Sequence, residues 1–157
     1  MMKRFARSAL LGIGFAFAAA PAFADNTKAL IANSHAAETK GHFDEAVMML
    51  QAVIVADPSK PASYVLLADL YARNGQPKTA RAYYNDALFI DPAEPKALQG
   101  IALADLKLGE ADAAQASLDR LLETCGPHCS ETLSVREALA MSKKPGPDAA
   151  STALDKH

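Results

Sequence analysis

Five consecutive residues, Cys125-Gly126-Pro127-His128-Cys129, carry the side chains of this sequence best suited to chemistry. Two thiols and an imidazole so close together can form a disulfide, hold a soft metal ion or exchange disulfides with another protein. The spacing bears differently on each. Three intervening residues with a Gly-Pro bend can bring the two sulfurs together. Thioredoxin-like redox pairs stand two residues apart at a helix start beside a sheet, and neither condition is met here. Haem attachment needs a histidine directly after the second cysteine, where Ser130 stands. A copper or zinc site built from Cys125, His128 and Cys129 needs a fourth ligand that the sequence does not show. The expectation is a disulfide between Cys125 and Cys129, with metal binding and redox chemistry as the alternatives. Closing so small a loop removes little chain entropy, so such a bridge fixes local geometry more than it supports the whole fold.

Nothing else in the chain has the pattern of a catalyst. His35 and His42 fall in different segments, and His157 is the last residue. There is no Gly-x-Ser-x-Gly elbow, no phosphate-binding glycine loop and no His-Glu-x-x-His metal motif. Asp44-Glu45 read as favourable charges at the positive end of a helix dipole, and Met48-Met49 and Tyr83-Tyr84 as helix packing. The expectation is a non-enzymatic protein without catalytic residues, resident metal or cofactor.

The elements that must position these residues repeat themselves. Sliding the segment Pro61–Pro92 by 34 residues aligns Gly41, Gly75 and Gly109, then Ala46, Ala80 and Ala114, then Leu50, Tyr84 and Leu118. Asp57-Pro58 and Asp91-Pro92 recur at the same step. A period of this length marks stacked helix-turn-helix units. In the central copy Tyr64, Leu67, Ala68 and Tyr71 share one stripe of a helix, and Ala80, Tyr84, Ala87 and Leu88 share a stripe of the next. Between them Gly75 can close the first helix in the left-handed conformation, and Pro77 suits the first turn of the second. Asp91-Pro92 then ends that second helix, because proline disfavours helical geometry in the residue before it. Small side chains at Ala68 and Ala80 allow the two helices a close approach.

These residues resemble the tetratricopeptide repeat. Its pattern is met in the central copy by Tyr64, Leu67-Ala68, Tyr71, Gly75, Ala80, Tyr84, Ala87 and Pro92. Copy one follows it through Leu30, Ser34, Gly41, Ala46, Leu50 and Pro58, with Asn33 in place of an apolar residue. Copy three follows it through Leu98, Ile101-Ala102, Gly109, Ala114, Leu118 and Leu121, with Asp105 in place of the aromatic and the proline of Gly126-Pro127 one position late. The resemblance implies an all-α fold, a right-handed α-solenoid of three helix-turn-helix repeats at about 27–60, 61–94 and 95–128. Helices are expected near 27–39, 43–56, 61–73, 77–90, 95–108 and 111–124. A seventh, about 130–142, starts at Ser130, whose hydroxyl can cap the first turn. Its Leu133, Ala138, Leu139 and Met141 can cover the apolar end of the solenoid, which needs a cap for solubility.

At the N-terminus, Lys3, Arg4 and Arg7 precede an apolar run from Ala9 to Ala20 and then Pro21-Ala22-Phe23-Ala24. That is the layout of a signal peptide at 1–24, cleaved after Ala24. A periplasmic or secreted protein is expected, without a stable membrane anchor after cleavage. The repeats and the cap then make one domain over 25–142. Lys144-Pro145-Gly146-Pro147 breaks the last helix, and the polar remainder, 143–157, is expected to be a disordered tail. Cleavage removes three basic and no acidic residues. The sixteen Lys and Arg against eighteen Asp and Glu of the full chain thereby become a net charge of −5. Such a balance argues against a nucleic-acid partner and against adsorption to an anionic membrane.

The resemblance also implies where a partner would sit. In tetratricopeptide folds the first helices of the repeats line a concave groove that receives a peptide or helix of another protein. The matching positions here are Lys28, Ile31, His35 and Glu38 in copy one, Val65, Asp69 and Arg73 in copy two, and Lys96, Gln99, Leu103 and Lys107 in copy three. Ile31, Val65 and Leu103 would act as apolar anchors, with Asp69, Arg73 and Lys107 fixing register by charge. Asp69 and Leu103 occupy positions where relatives that clamp a terminal carboxylate carry other side chains, so that clamp is not expected. The function implied is a scaffold or adaptor in an envelope process; the alternative is a small thiol or metal protein using the Cys125–Cys129 segment.

Overall fold

The structure, a computed structural model, describes residues 21–143. Among the described residues the chain forms seven helices and no strand. They are α1 (Pro21–Thr39), α2 (Phe43–Ala56), α3 (Pro61–Arg73), α4 (Pro77–Ile90), α5 (Pro95–Leu108), α6 (Ala111–Thr124) and α7 (Ser130–Ser142). This is an all-α helical repeat solenoid. Proline opens α3, α4 and α5, where its missing N–H costs no hydrogen bond. Gly75 and Gly109 close the first helices of their repeats at φ 73° and 80°, the left-handed region that side chains with a Cβ resist. Only α1 departs from the expected bounds, beginning at Pro21 and not near 27. Residues 1–20 of the signal-peptide reading lie outside the described residues, as does the tail beyond Lys143.

Each helix packs on its neighbours in the chain, α3 also reaches α5, and α7 lies against both α5 and α6. The core has two parts that meet at α3. Leu67 and Leu70 join Ala37, Ala46, Val47 and Leu50 from the first repeat, while Val65 and Ala68 face the second part, with Tyr84, Leu98, Ile101, Leu118 and Leu121. Leu67, Leu98 and Leu121 are completely buried, each contributing roughly 1.5–3 kcal/mol of burial free energy. Helix α3 is therefore the shared wall, and the repeats depend on each other for their cores.

Aromatic rings mark the join of the first two repeats: Tyr71 stacks on Tyr83 at 5.4 Å, and Phe43 meets Tyr71 edge-on at 5.4 Å. In copy three, where Asp105 takes the aromatic position, the contact is ionic instead. Asp105 is buried, with only 2% exposure, and accepts a hydrogen bond from Arg81 at 2.8 Å. Glu110 also pairs with Arg81. Met48, expected to pack, projects into solvent from α2.

The capping helix departs from expectation in register. Ser130 is its first helical residue, and its hydroxyl donates to Glu131 at 2.8 Å without capping the helix. The face turned to the solenoid is Thr132, Val135 and Leu139, all buried, whereas Leu133 and Met141 are exposed. The reason is Thr132: its hydroxyl donates to the Gly126 carbonyl at 2.9 Å, which lets a polar side chain lie on the inward face.

Tyr84 reaches from α4 into the join of the second and third repeats, where the backbone of α5 leaves room for it only at Gly100. A Cβ there would stand 2.2 Å from the ring. Gly100→Ala is accordingly expected to destabilise the protein by about 1–3 kcal/mol through overpacking, read as a lower urea midpoint. Helix propensity alone gives the opposite sign, so a higher midpoint would show that the ring does not rest on this glycine.

Candidate functional site

A cavity of about 620 Å3 opens between α3, α4 and α5. Its walls are apolar and short: Ala72 from α3, Gly100, Leu103 and Ala104 from α5, and the ring of Tyr84 at the back. Ala72 and Ala104 keep the depression open, since a larger side chain at either would intrude on it. Arg73 and Lys107, each in the last turn of its helix, stand at its edge, and no acidic side chain lines it. This composition, apolar walls with a few charged groups, is that of a site able to bury a ligand side chain.

Hydrogen bonds fix the polar parts. The Tyr84 hydroxyl donates to Asp69 across the gap between α4 and α3. Burial and the neighbouring carboxylate both push the Tyr84 phenol upward, so it stays protonated and remains a donor. Arg73 donates from Nε and Nη2 to the two carboxylate oxygens of Glu38, at 2.6 and 3.0 Å, tying α3 to α1. The guanidinium holds the Glu38 carboxyl below the usual glutamate range, and Glu38 in turn raises Arg73. A fork-to-fork pair of this kind fixes geometry in two directions, although half-exposed pairs add little stability.

The structure brings together three of the eleven groove residues expected from sequence: Arg73, Leu103 and Lys107 line the cavity. Val65 does not belong with them. It is buried at 4% exposure and packs in the core with Ala68 and Leu98, so it offers no anchor to a partner. Asp69 is half-buried and bound by Tyr84, and Arg73 is engaged by Glu38, so both positions serve contacts within the chain. Ile31 packs against the first part of the core beside a small separate cavity of about 110 Å3. Lys28, His35 and Lys96 are exposed and Gln99 is half-buried. His35 stands 3.8 Å from Glu38, and Lys96 acts electrostatically on Glu131.

Six residues of the cavity, Ala72, Gly75, Pro77, Tyr84, Gly100 and Ala104, are absent from the sequence reading of the groove. Tyr84 reads there as a repeat-packing residue, because it sits on a second helix. Gly100 carries a usable signal, since a glycine in mid-helix costs about 1 kcal/mol against alanine and calls for a packing reason.

At the far end, the sulfurs of Cys125 and Cys129 lie 1.99 Å apart with their Cα atoms at 5.9 Å, at the junction of α6 and α7. Thr132 contacts both sulfurs, at 3.7 and 3.0 Å. Glu131 is the group gathered close to the two sulfurs, within 4.8 Å. His128 is not part of that cluster, so the Cys-His-Cys ligand set considered from sequence is not assembled. Among the described residues, no helix is long and apolar enough to cross a membrane.

Comparison with known proteins gives the same architecture. Residues 31–95 match the tetratricopeptide repeat family model. The cellulose synthase operon protein C of Pseudomonas fluorescens is 34% identical over 85 residues, which are 54% of this chain and 7% of that protein. This chain thus spans less than a tenth of that relative's length. Among solved structures, the first TPR of Spaghetti (RPAP3) bound to the HSP90 peptide SRMEEVD superposes with a TM-score of 0.64 at 21% identity, covering 74% of this chain and 95% of that one. The Yersinia enterocolitica type III secretion chaperone SycD, in complex with a peptide of the translocator YopD, gives a TM-score of 0.63 at 21% identity, covering 76% and 96%. The Sgt2 TPR domain from Aspergillus fumigatus gives 0.66 at 20% identity, covering 83% and 85%. The described helices have the tetratricopeptide-repeat fold.

Proposed function

We propose that this chain is an exported interaction module, a scaffold or adaptor in an envelope process, which takes a peptide or helix of a partner protein into the cavity between α3, α4 and α5. The observation that carries this reading is the cavity itself: an apolar depression lined by Ala72, Leu103 and Ala104 together with Arg73 and Lys107. The peptide-bound neighbours support the reading by analogy, since the same architecture receives peptides in those proteins. Binding would depend mainly on the side chain buried in the cavity, with charge at its edge setting orientation.

Export rests on the basic head, apolar run and Ala-x-Ala site of residues 1–24. The Cys125–Cys129 pair is then a structural bridge in an oxidising compartment, pinning the start of α7 to the end of α6 beside Thr132. Intact mass spectrometry of the protein recovered from its native compartment tests both points at once. A chain beginning at Asp25 and lacking two hydrogens is expected. A chain retaining Met1, or carrying two free thiols, would contradict export or the bridge respectively.

For the binding reading, affinity capture from periplasmic extract compares the parent protein with Leu103→Arg, which fills the cavity without touching the core. A protein held by the parent and lost at least about tenfold by the variant is expected, the factor corresponding to some 1.4 kcal/mol. Equal retention by both would place the contact elsewhere.

A further inference from the structure

The charged groups facing the groove are mostly engaged within the chain. Arg73 spends both arms of its fork on Glu38, which also stands near His35. Asp69 accepts from Tyr84, and Lys96 acts on Glu131. Lys107 is different: it is exposed, it lines the cavity, and among the described residues no carboxylate lies within ion-pair distance of it. On the exposed side of α5 there is no acid to oppose it, because Asp105, the acidic residue of that helix, is turned inward to Arg81.

From this we infer that the cavity selects an acidic peptide: an apolar side chain enters between Leu103, Ala72 and Gly100, and a side-chain carboxylate nearby in the same peptide pairs with Lys107. The inference rests on the binding reading above and names the chemistry of the partner. Two observations set the sign. No acidic side chain lines the cavity, and with Arg73 paired to Glu38 the unpaired charge in its lining is the cation Lys107, whose field acts on whatever enters. A basic peptide would bring like charge up to Lys107, at a cost that counts against it. A third observation distinguishes a side-chain carboxylate from a chain-terminal one. The fork-shaped donor that would hold a terminal carboxylate bidentately is Arg73, and Glu38 already occupies it. What remains at the cavity is the single ammonium of Lys107, a point charge suited to a carboxylate on a flexible side chain.

The test uses an array of acetylated, C-terminally amidated octapeptides of randomised sequence, probed with the purified protein and with Lys107→Arg, Lys107→Glu and Leu103→Arg. Circular dichroism of each variant confirms that its helices are intact. For the parent and for Lys107→Arg, the bound peptides are expected to be enriched in Asp or Glu close to a Leu, Ile, Phe or Met. Lys107→Glu is expected to weaken those peptides about tenfold and to shift the enrichment toward Lys and Arg. If Leu103→Arg abolishes binding but the bound peptides show no acidic enrichment, or Lys107→Glu leaves them unchanged, the acidic selectivity is wrong and the groove reading stands. In a second copy of the array made with free C-terminal carboxylates, binding confined to that copy would overturn the inference in the same way and leave the groove reading standing. Binding of no peptide, or binding indifferent to Leu103→Arg, would overturn the groove reading and this inference with it.

Discussion

A two-helix repeat has an apolar face that it cannot bury by itself, and in this protein one ring sits at the centre of the join of the second and third repeats. Tyr84 leaves α4, lies on the backbone of α5 at Gly100 and hydrogen-bonds Asp69 of α3. Three helices from two repeats are thereby held at fixed separation. The separation is what leaves a depression in front of the ring, so the contact that closes the core also sets the depth of the candidate site. The two roles cannot be changed independently: a bulkier residue at Gly100 would displace the ring from the join and the back wall from the cavity.

Polar groups along the groove follow a similar economy. Glu38 with Arg73 ties the first repeat to the second, and Asp105 with Arg81 does the corresponding work deeper in the third, where an aromatic contact is missing. Removing Arg81 would leave the Asp105 charge stranded in the interior, which is far more costly than losing an exposed pair. Charges that hold repeats together are unavailable to a ligand. The groove therefore presents to a partner much less charge than its sequence suggests, with Lys107 the cation left at the cavity.

Much of the fold was legible because its punctuation is local. Gly75 and Gly109 need the left-handed region, Pro61, Pro77 and Pro95 open helices, and with the 34-residue register and the start at Ser130 these signals place six of the seven helices at their observed bounds. Periodicity also shows which stripe of a helix is apolar. It does not show which neighbour that stripe meets, and the site suffered accordingly: Val65 lies on a first helix but turns into the core, while Tyr84 lies on a second helix but forms the back of the cavity. Asp69 and Arg73 looked like charges offered to a partner because Tyr84 and Glu38 are 15 and 35 residues away in the chain. The capping helix misled through hydropathy, which favours Leu133 and Met141. A hydrogen bond to Gly126 instead allows Thr132 to face inward beside Val135 and Leu139.

The most direct measurement is chemical-shift mapping by NMR on the methyl groups of the protein, titrated with the binding segment of a captured partner. Ala72, Leu103 and Ala104 are expected to shift together and to saturate with one affinity, while Met48 and Val55, exposed on α2, stay in place. Shifts confined to Met48 and Val55, with the cavity methyls unmoved, would contradict binding between α3, α4 and α5.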